Sequence, residues 1–312
     1  MAKEKDKIIK EEVKEFLEKT KDSNEIPKKA ISNFVLIKDS LNEIFSNIEA
    51  NFKEPRGIEG LPSGYPSLDR ITSGFQNSDL IVIASEPGIG KTSLAINIAE
   101  FLAIKKRKSI AMFTLEMSRS QLIKRFLCSQ GKVDLGRLMR GFLCEEDWAK
   151  LAEAYGELHD APIYIDDSYG LTFSDIQNKA RKLKNETNVD MIIVDYLQLI
   201  HSEENKEYRA SEVAHISRGF KDLAKELNIP VVVLSQLDIA KRTDYKPTLS
   251  NFKESWSIGQ DADVVIFLNR SDELREENIE VIVAKQRNGP TDKFHLIFLS
   301  GYTKFVEVID QN

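Results

Sequence analysis

The chain has 312 residues, 41% of them hydrophobic, and a formal net charge of −6 from 44 basic and 50 acidic side chains. That is enough apolar material for a full core, and the acidic balance excludes a coat of unspecific phosphate contacts while leaving room for local basic loops. No apolar run reaches the ~20 residues of a membrane span, the N-terminus lacks a signal peptide's apolar stretch, and Cys128 and Cys144 stand in no metal-ligand spacing, so a cytoplasmic chain is expected.

Residues 1–30 form a charged segment whose Ile9, Val13, Phe16 and Leu17 fall at helical spacing. Pro27 suits the first turn of a second helix. Over residues 31–56 an apolar stripe runs through Phe34, Ile37, Leu41, Ile44, Phe45, Ile48 and Phe52, and Pro55 and Gly57 end it. This stripe needs a partner, either its own core or a neighbouring subunit.

From Leu61 the pattern alternates. Apolar runs at 80–84, 109–115, 161–165, 190–195, 231–235, 263–268 and 279–284 are strand candidates, and helical stretches at 92–104, 118–129, 145–159, 172–187 and 209–227 intervene. Strands apolar on both faces that alternate with helices predict a mostly parallel sheet with helices on both faces. The segments 279–284, 293–299 and 303–308 have no helices between them and predict antiparallel strands at one edge.

The first strand runs into Ser85-Glu86-Pro87-Gly88-Ile89-Gly90-Lys91-Thr92 and then a helix opened by Ser93. Strand, glycine-rich loop and helix together make a phosphate cradle from backbone N–H groups and a helix N-terminus. Lys91 would reach the β- and γ-phosphates of a nucleoside triphosphate and Thr92 would ligate Mg²⁺. The run 109–115 is followed by Glu116, which either polarises an attacking water or is a plain surface acid. Ser118 and Gln121 match a capping box for the next helix. Met191 to Val194 is an apolar run closed by Asp195, a second Mg²⁺ candidate, and Asp190 opens it as a structural acid. Gln236 closes the run 231–235 with an amide that could meet the γ-phosphate. Trp148, in a helical pattern, is expected in the core. The stretch 237–257 has little regular pattern and carries Lys241, Arg242, Lys246 and Lys253, which suit either a sugar-phosphate backbone or solvent. Lys285 and Arg287, two apart, share one face of an extended chain. They are either a surface pair or cations lent to a neighbouring subunit's phosphate.

Several segments then recur in one order: Gly60-Leu61-Pro62-Ser63-Gly64-Tyr65-Pro66-Ser67-Leu68-Asp69, Gly90-Lys91-Thr92, Thr114-Leu115-Glu116-Met117-Ser118, Val133-Asp134, Asp195-Tyr196-Leu197-Gln198-Leu199, Ser235-Gln236-Leu237, Gln260-Asp261-Ala262-Asp263 and Lys285-Gln286-Arg287-Asn288-Gly289-Pro290. Together they resemble the RecA-like P-loop motor domain of the DnaB-type replicative helicases, over residue 31 to the end.

The resemblance implies an ATP- and Mg²⁺-dependent hexameric ring that moves 5′ to 3′ on single-stranded DNA, with primase and a helicase loader as further partners. It implies Glu116 as catalytic base, Asp195 as the Mg²⁺-linked acid, Gln236 as γ-phosphate sensor, Arg125 as a nucleotide contact, and Lys285 and Arg287 as a pair supplied in trans. Residues 31–56 become a linker helix packing on the adjacent subunit, and 57–312 the motor domain. The segment ahead of that helix is too short for the family's N-terminal collar domain. Lys241, Arg242, Lys253, Glu254 and Trp256 are the candidate DNA contacts. Two of these depart from the family pattern, which usually has Arg at Lys253 and Gly at Trp256; Gly259 departs too, replacing a usual Glu. Lys keeps the charge but not the fork, and Trp suits stacking on a base rather than close backbone approach. The rivals are a recombinase of the same fold, which the closing Lys285–Pro290 segment and Asp195–Leu199 argue against, and a nucleotide-switched interaction module.

Overall fold

The structure, a computed structural model, describes residues 36–53, 58–201, 209–237, 246–252, 256–270 and 277–307. The expected helices of residues 1–30 and the candidate contacts Lys241, Arg242, Lys253 and Glu254 lie outside them. The chain divides into two compact units, Met1–Arg56 and Gly57–Asn312. In the first, helix α1 (Ile37–Lys53) exposes Ile37, Leu41, Ile44, Phe45 and Ile48.

The second unit opens with α2 (Pro66–Thr72) and is built on β1 (Leu80–Ser85), α3 (Lys91–Glu100), β2 (Ile110–Thr114), α4 (Arg119–Gly131), α5 (Leu135–Arg140), α6 (Glu145–His159) and β3 (Ile163–Asp166). It continues with α7 (Phe173–Thr187), β4 (Met191–Asp195), α8 (Arg209–Leu227), β5 (Val231–Gln236), α9 (Trp256–Asp261), β6 (Val264–Asn269), β7 (Asn278–Gln286), β8 (Asp292–Leu299) and β9 (Lys304–Val306). The sheet order is β3-β2-β4-β5-β1-β6-β7-β8-β9. The pairs from β3 to β6 are parallel and those from β6 to β9 antiparallel. This is the expected mostly parallel sheet with an antiparallel edge.

The two-residue period of a strand divides the core. Ile81 and Ile83 enter one apolar cluster, with Leu94, Ile98 and Phe298. Leu80, Val82 and Ala84 enter the other, with Phe173, Ile216 and Phe220. Each such Ile or Leu contributes about 1.5–3 kcal/mol by leaving water, so a sheet buried on both faces is rigid ground for a site at its rim.

The helix expected over 92–104 forms, α-helical to Glu100 and closing in a π turn, Phe101–Lys105. Helices α2 and α5 add to the expected elements; at seven and six residues they are too short to show a period. Within stretch 237–257 the described residues hold little regular structure, a 3₁₀ turn at Leu249–Asn251 and the start of α9. One expectation needs correction. Trp148 is 64% exposed, because α6 buries Asp147, Leu151 and Ala154 and the next residue lies ~100° around the helix.

One buried acid lies at the far end of α3. Glu100 is 3% exposed; its Oε2 accepts a hydrogen bond from Ser129 Oγ at 2.7 Å and lies 3.9 Å from Lys304 Nζ. Burial pushes its carboxyl from 4.5 up to about 7, against the pull of Lys304 and Ser129. The folded state therefore holds a proton that the unfolded chain releases, and stability falls as pH rises from about 4.5 to about 7. Glu100→Gln removes that cost. Its melting temperature is expected to exceed the parent's by roughly 5 °C at pH 8, with the gap closing at pH 4.5. Melting curves that differ equally at both pH values would contradict the burial account.

Candidate nucleotide site

Ser85, the last residue of β1, is fully buried and donates its hydroxyl to Glu86 O at 2.8 Å. The chain then turns through exposed Glu86, Pro87 and Gly88 to Ile89, buried in the core. Gly88 and Gly90 have φ of 80° and 110°, the left-handed region that only glycine enters cheaply. A Cβ on Gly90 would also sit 3.0 Å from Phe305 and 3.1 Å from Phe298, whose rings stack at 4.5 Å beneath the loop.

Gly90 opens α3, its carbonyl accepting from Leu94 N at 2.9 Å. Helices α4 and α7 carry capping boxes, Ser118 with Gln121 and Thr172 with Asp175. Among the described residues no side chain caps α3, and its first turn holds no acid. Its leading N–H groups and the positive end of its dipole are therefore left for an anion. Lys91, buried, holds its ammonium 5.1 Å from the Tyr196 ring centre.

Thr92 Oγ1 donates to Asp195 Oδ2 at 2.7 Å. Asp195 is 2% exposed, and its Oδ1 has no hydrogen-bond partner among the described residues. Burial raises its carboxyl pKa, Thr92 and Lys91 oppose that, and the charge of Glu116 adds to it. Glu116 follows β2 and is exposed. Leu115 N donates to Asp195 O at 2.8 Å, and Thr114 Oγ1 bonds Met117 O at 2.9 Å, so the turn carrying Glu116 is tied beside Asp195. Arg125, half-buried on α4, also favours the ionised form of Asp195. Gln236 ends β5 directly across from Ser85. Ser85, Lys91, Thr92, Glu116, Arg125, Asp195 and Gln236 thus gather at the carboxyl rim of the parallel strands, where open α/β sheets bind ligands.

Sequence reasoning assigns no role to Gln198. Its Nε2 donates to Ser235 Oγ at 2.9 Å and Gln236 O at 3.1 Å, and its Oε1 accepts from Gln236 N at 3.2 Å. It fixes the end of β5 and so the root of Gln236. The only sequence signal is its place in the Asp195–Leu199 run.

Lys285 and Arg287 do not join this group. Lys285 Nζ donates to Gly259 O and Gln260 O, each at 2.8 Å. Burial, then the charge of Arg287, lowers the Lys285 pKa. Arg287 Nε lies 3.3 Å from Asp263 Oδ1, and Asp263 N donates to Leu80 O at 2.9 Å. The pair therefore stands at the start of β1, and the phosphate loop at its end. Five residue steps of extended strand separate them by about 17 Å, more than a side chain spans. Trp256 opens α9, and its side chain lies outside the described residues.

A glycine cradle at the end of a buried parallel strand, with a second strand's terminal Asp bonded to its Thr, defines a P-loop nucleotide-binding domain of the RecA-like class. The family described as DnaB-like helicase C terminal domain matches residues 60–307, and the chain belongs to it. It is 47% identical over 283 residues to the replicative DNA helicase DnaB of Geobacillus stearothermophilus, covering 88% of this chain and 62% of that one. It is 46% identical over 289 residues to the replicative DNA helicase DnaC of Bacillus subtilis (strain 168), covering 90% and 64%. The chain thus spans less than two thirds of the length of these relatives. Among solved structures, one described as an ATPase domain superposes with a TM-score of 0.83 at 32% identity, covering 89% of this chain and all of that one. A DnaB-like replicative helicase solved for its interactions with primase gives 0.79 at 32% identity, covering 88% and 71%. Among the described residues no helix is long and apolar enough to cross a membrane.

Proposed function

We propose that the chain is the motor part of a cytoplasmic replicative DNA helicase, a hexameric ring that hydrolyses ATP between subunits and moves along single-stranded DNA. Residues 57–312 form the motor, and 31–56 the linker helix, whose exposed apolar face suits packing on an adjacent subunit. Primase and a loader are its further partners. The observation that carries the proposal is the division along β1: a cradle at its carboxyl end, and two cations about 17 Å away at its amino end. A surface carrying each half invites a head-to-tail assembly that closes into a ring.

In this scheme the loop amides and Lys91 hold the triphosphate, and Gln236 senses the γ-phosphate. The unpartnered Asp195 Oδ1 beside Thr92 fits a divalent cation. When bound, Mg²⁺ supplies charge neutralisation at the β- and γ-phosphates. Glu116, exposed at the rim, orients water and takes its proton as water adds to the γ-phosphorus and the bond to the bridging oxygen breaks. Arg287 and Lys285 of the next subunit stabilise the charge that develops on ADP. Lys241, Arg242, Lys253, Glu254 and Trp256 contact the strand.

The test is ATP turnover with and without single-stranded DNA, across a salt series. Stimulation by DNA is expected, with log affinity falling by about 0.7 per phosphate contact for each decade of salt. Turnover indifferent to DNA, with no salt-dependent binding, would leave a nucleotide-switched module instead.

A further inference from the structure

Asp263 stands before β6 with its side chain 6% exposed. Its Oδ2 accepts from Leu80 N at 2.8 Å and from Lys221 Nζ at 2.5 Å. Its Oδ1 faces Arg287 Nε at 3.3 Å, and its carbonyl accepts from Arg287 N at 3.0 Å. Leu80 is the first residue of the strand that ends in the phosphate loop. Lys221 comes from the middle of α8 and is itself mostly buried. A buried carboxylate between two cations is costly to leave half-paired, so the geometry is held tightly.

The Arg287 side chain is 52% exposed, so its head is open to a neighbour while its root is fixed. The contact with Asp263 uses Nε and leaves the terminal nitrogens to other acceptors; Nη2 meets Gln260 O at 3.2 Å. Lys285 leans on the same last turn of α9 but does not bond to Asp263.

We propose that Asp263 is a positioning residue: it aims Arg287 at the adjacent subunit's triphosphate, and so joins each subunit's cradle strand to the cation it lends. The inference rests on the trans assignment made above. Asp263 touches no phosphate. It acts through Arg287, whose planar guanidinium is held at Nε by Asp263 and at Nη2 by the Gln260 carbonyl, two contacts that restrain its rotation as well as its position.

The rival is purely local, that Asp263 supports its own strand through Leu80 N. Asp263→Asn keeps an oxygen for Leu80 N and removes the charge that holds Arg287. In the assembled protein it is expected to lower kcat on the order of 10²-fold, the cost of a misplacement near 1 Å, with affinity for an ATP analogue unchanged. Mixed subunits separate the two accounts. Lys91→Ala subunits have a dead cradle and an intact Arg287, and Asp263→Asn subunits have the reverse. Mixing the two is expected to raise turnover well above that of either alone.

The reference is the same mixture with Arg287→Ala in place of Asp263→Asn. Recovery in the reference but not in the Asp263→Asn mixture overturns the inference, because the defect then lies in that subunit's own cradle. No recovery in the reference overturns the trans assignment itself, and the inference with it. Should Asp263→Asn fail to assemble, Asp263→Glu enters the same mixture; it keeps the charge and displaces it by one methylene.

Discussion

Replacing Arg287 with Ala is expected to remove turnover while nucleotide binding stays near the parent level. Arg287 sits at the start of β1, and its guanidinium is paired there with Asp263, so removing it leaves the glycine loop, Lys91 and the Thr92–Asp195 bond untouched. A cation supplied in trans to a phosphoryl group contributes about 10³–10⁵ in kcat, or roughly 4–7 kcal/mol of barrier. Phosphate release and equilibrium binding of a fluorescent nucleotide, on protein whose ring mass has been checked, separate the two effects. A variant that hydrolyses at the parent rate returns Lys285 and Arg287 to an ordinary surface pair.

Glu116→Gln is expected to lower kcat by about 10²–10⁴-fold, the range for loss of a positioned base, without weakening nucleotide binding. Glu116 is exposed and the swap keeps its shape, so stability changes little. Removing its charge also removes one influence that raises the Asp195 pKa. Asp195 therefore stays ionised to lower pH, which favours a bound cation rather than opposing it. A weakened Kd with kcat unchanged would place Glu116 in binding instead.

The strands are legible because Ile, Val and Leu fill both faces of a parallel sheet, and such runs end where the site begins. Ser85, Asp195 and Gln236 can be found by reading the last residue of each run, and the phosphate loop by its glycines. What escapes is short or non-local. Helices α2 and α5 end before a period repeats. Gln198 acts on residues almost forty positions away in sequence. Spacing puts Lys285 and Arg287 on one face, but only the fold puts Asp263 between Arg287, Lys221 and the head of β1. Trp148 defeats the reading because a helical pattern does not say which face an aromatic takes: Trp148 and Tyr155, seven apart on α6, are both exposed.

Splitting the two halves of the site between subunits tests the central claim most directly. Lys91→Ala and Arg287→Ala proteins, each inactive alone, are combined in equal amounts, and phosphate release is measured on the mixed rings. If hydrolysis needs a cradle from one subunit and Arg287 from the next, about a quarter of the interfaces regain both halves and activity rises toward that share of the parent. If every subunit hydrolyses with its own residues, no pairing restores a complete site, and the mixture stays as inactive as its parts.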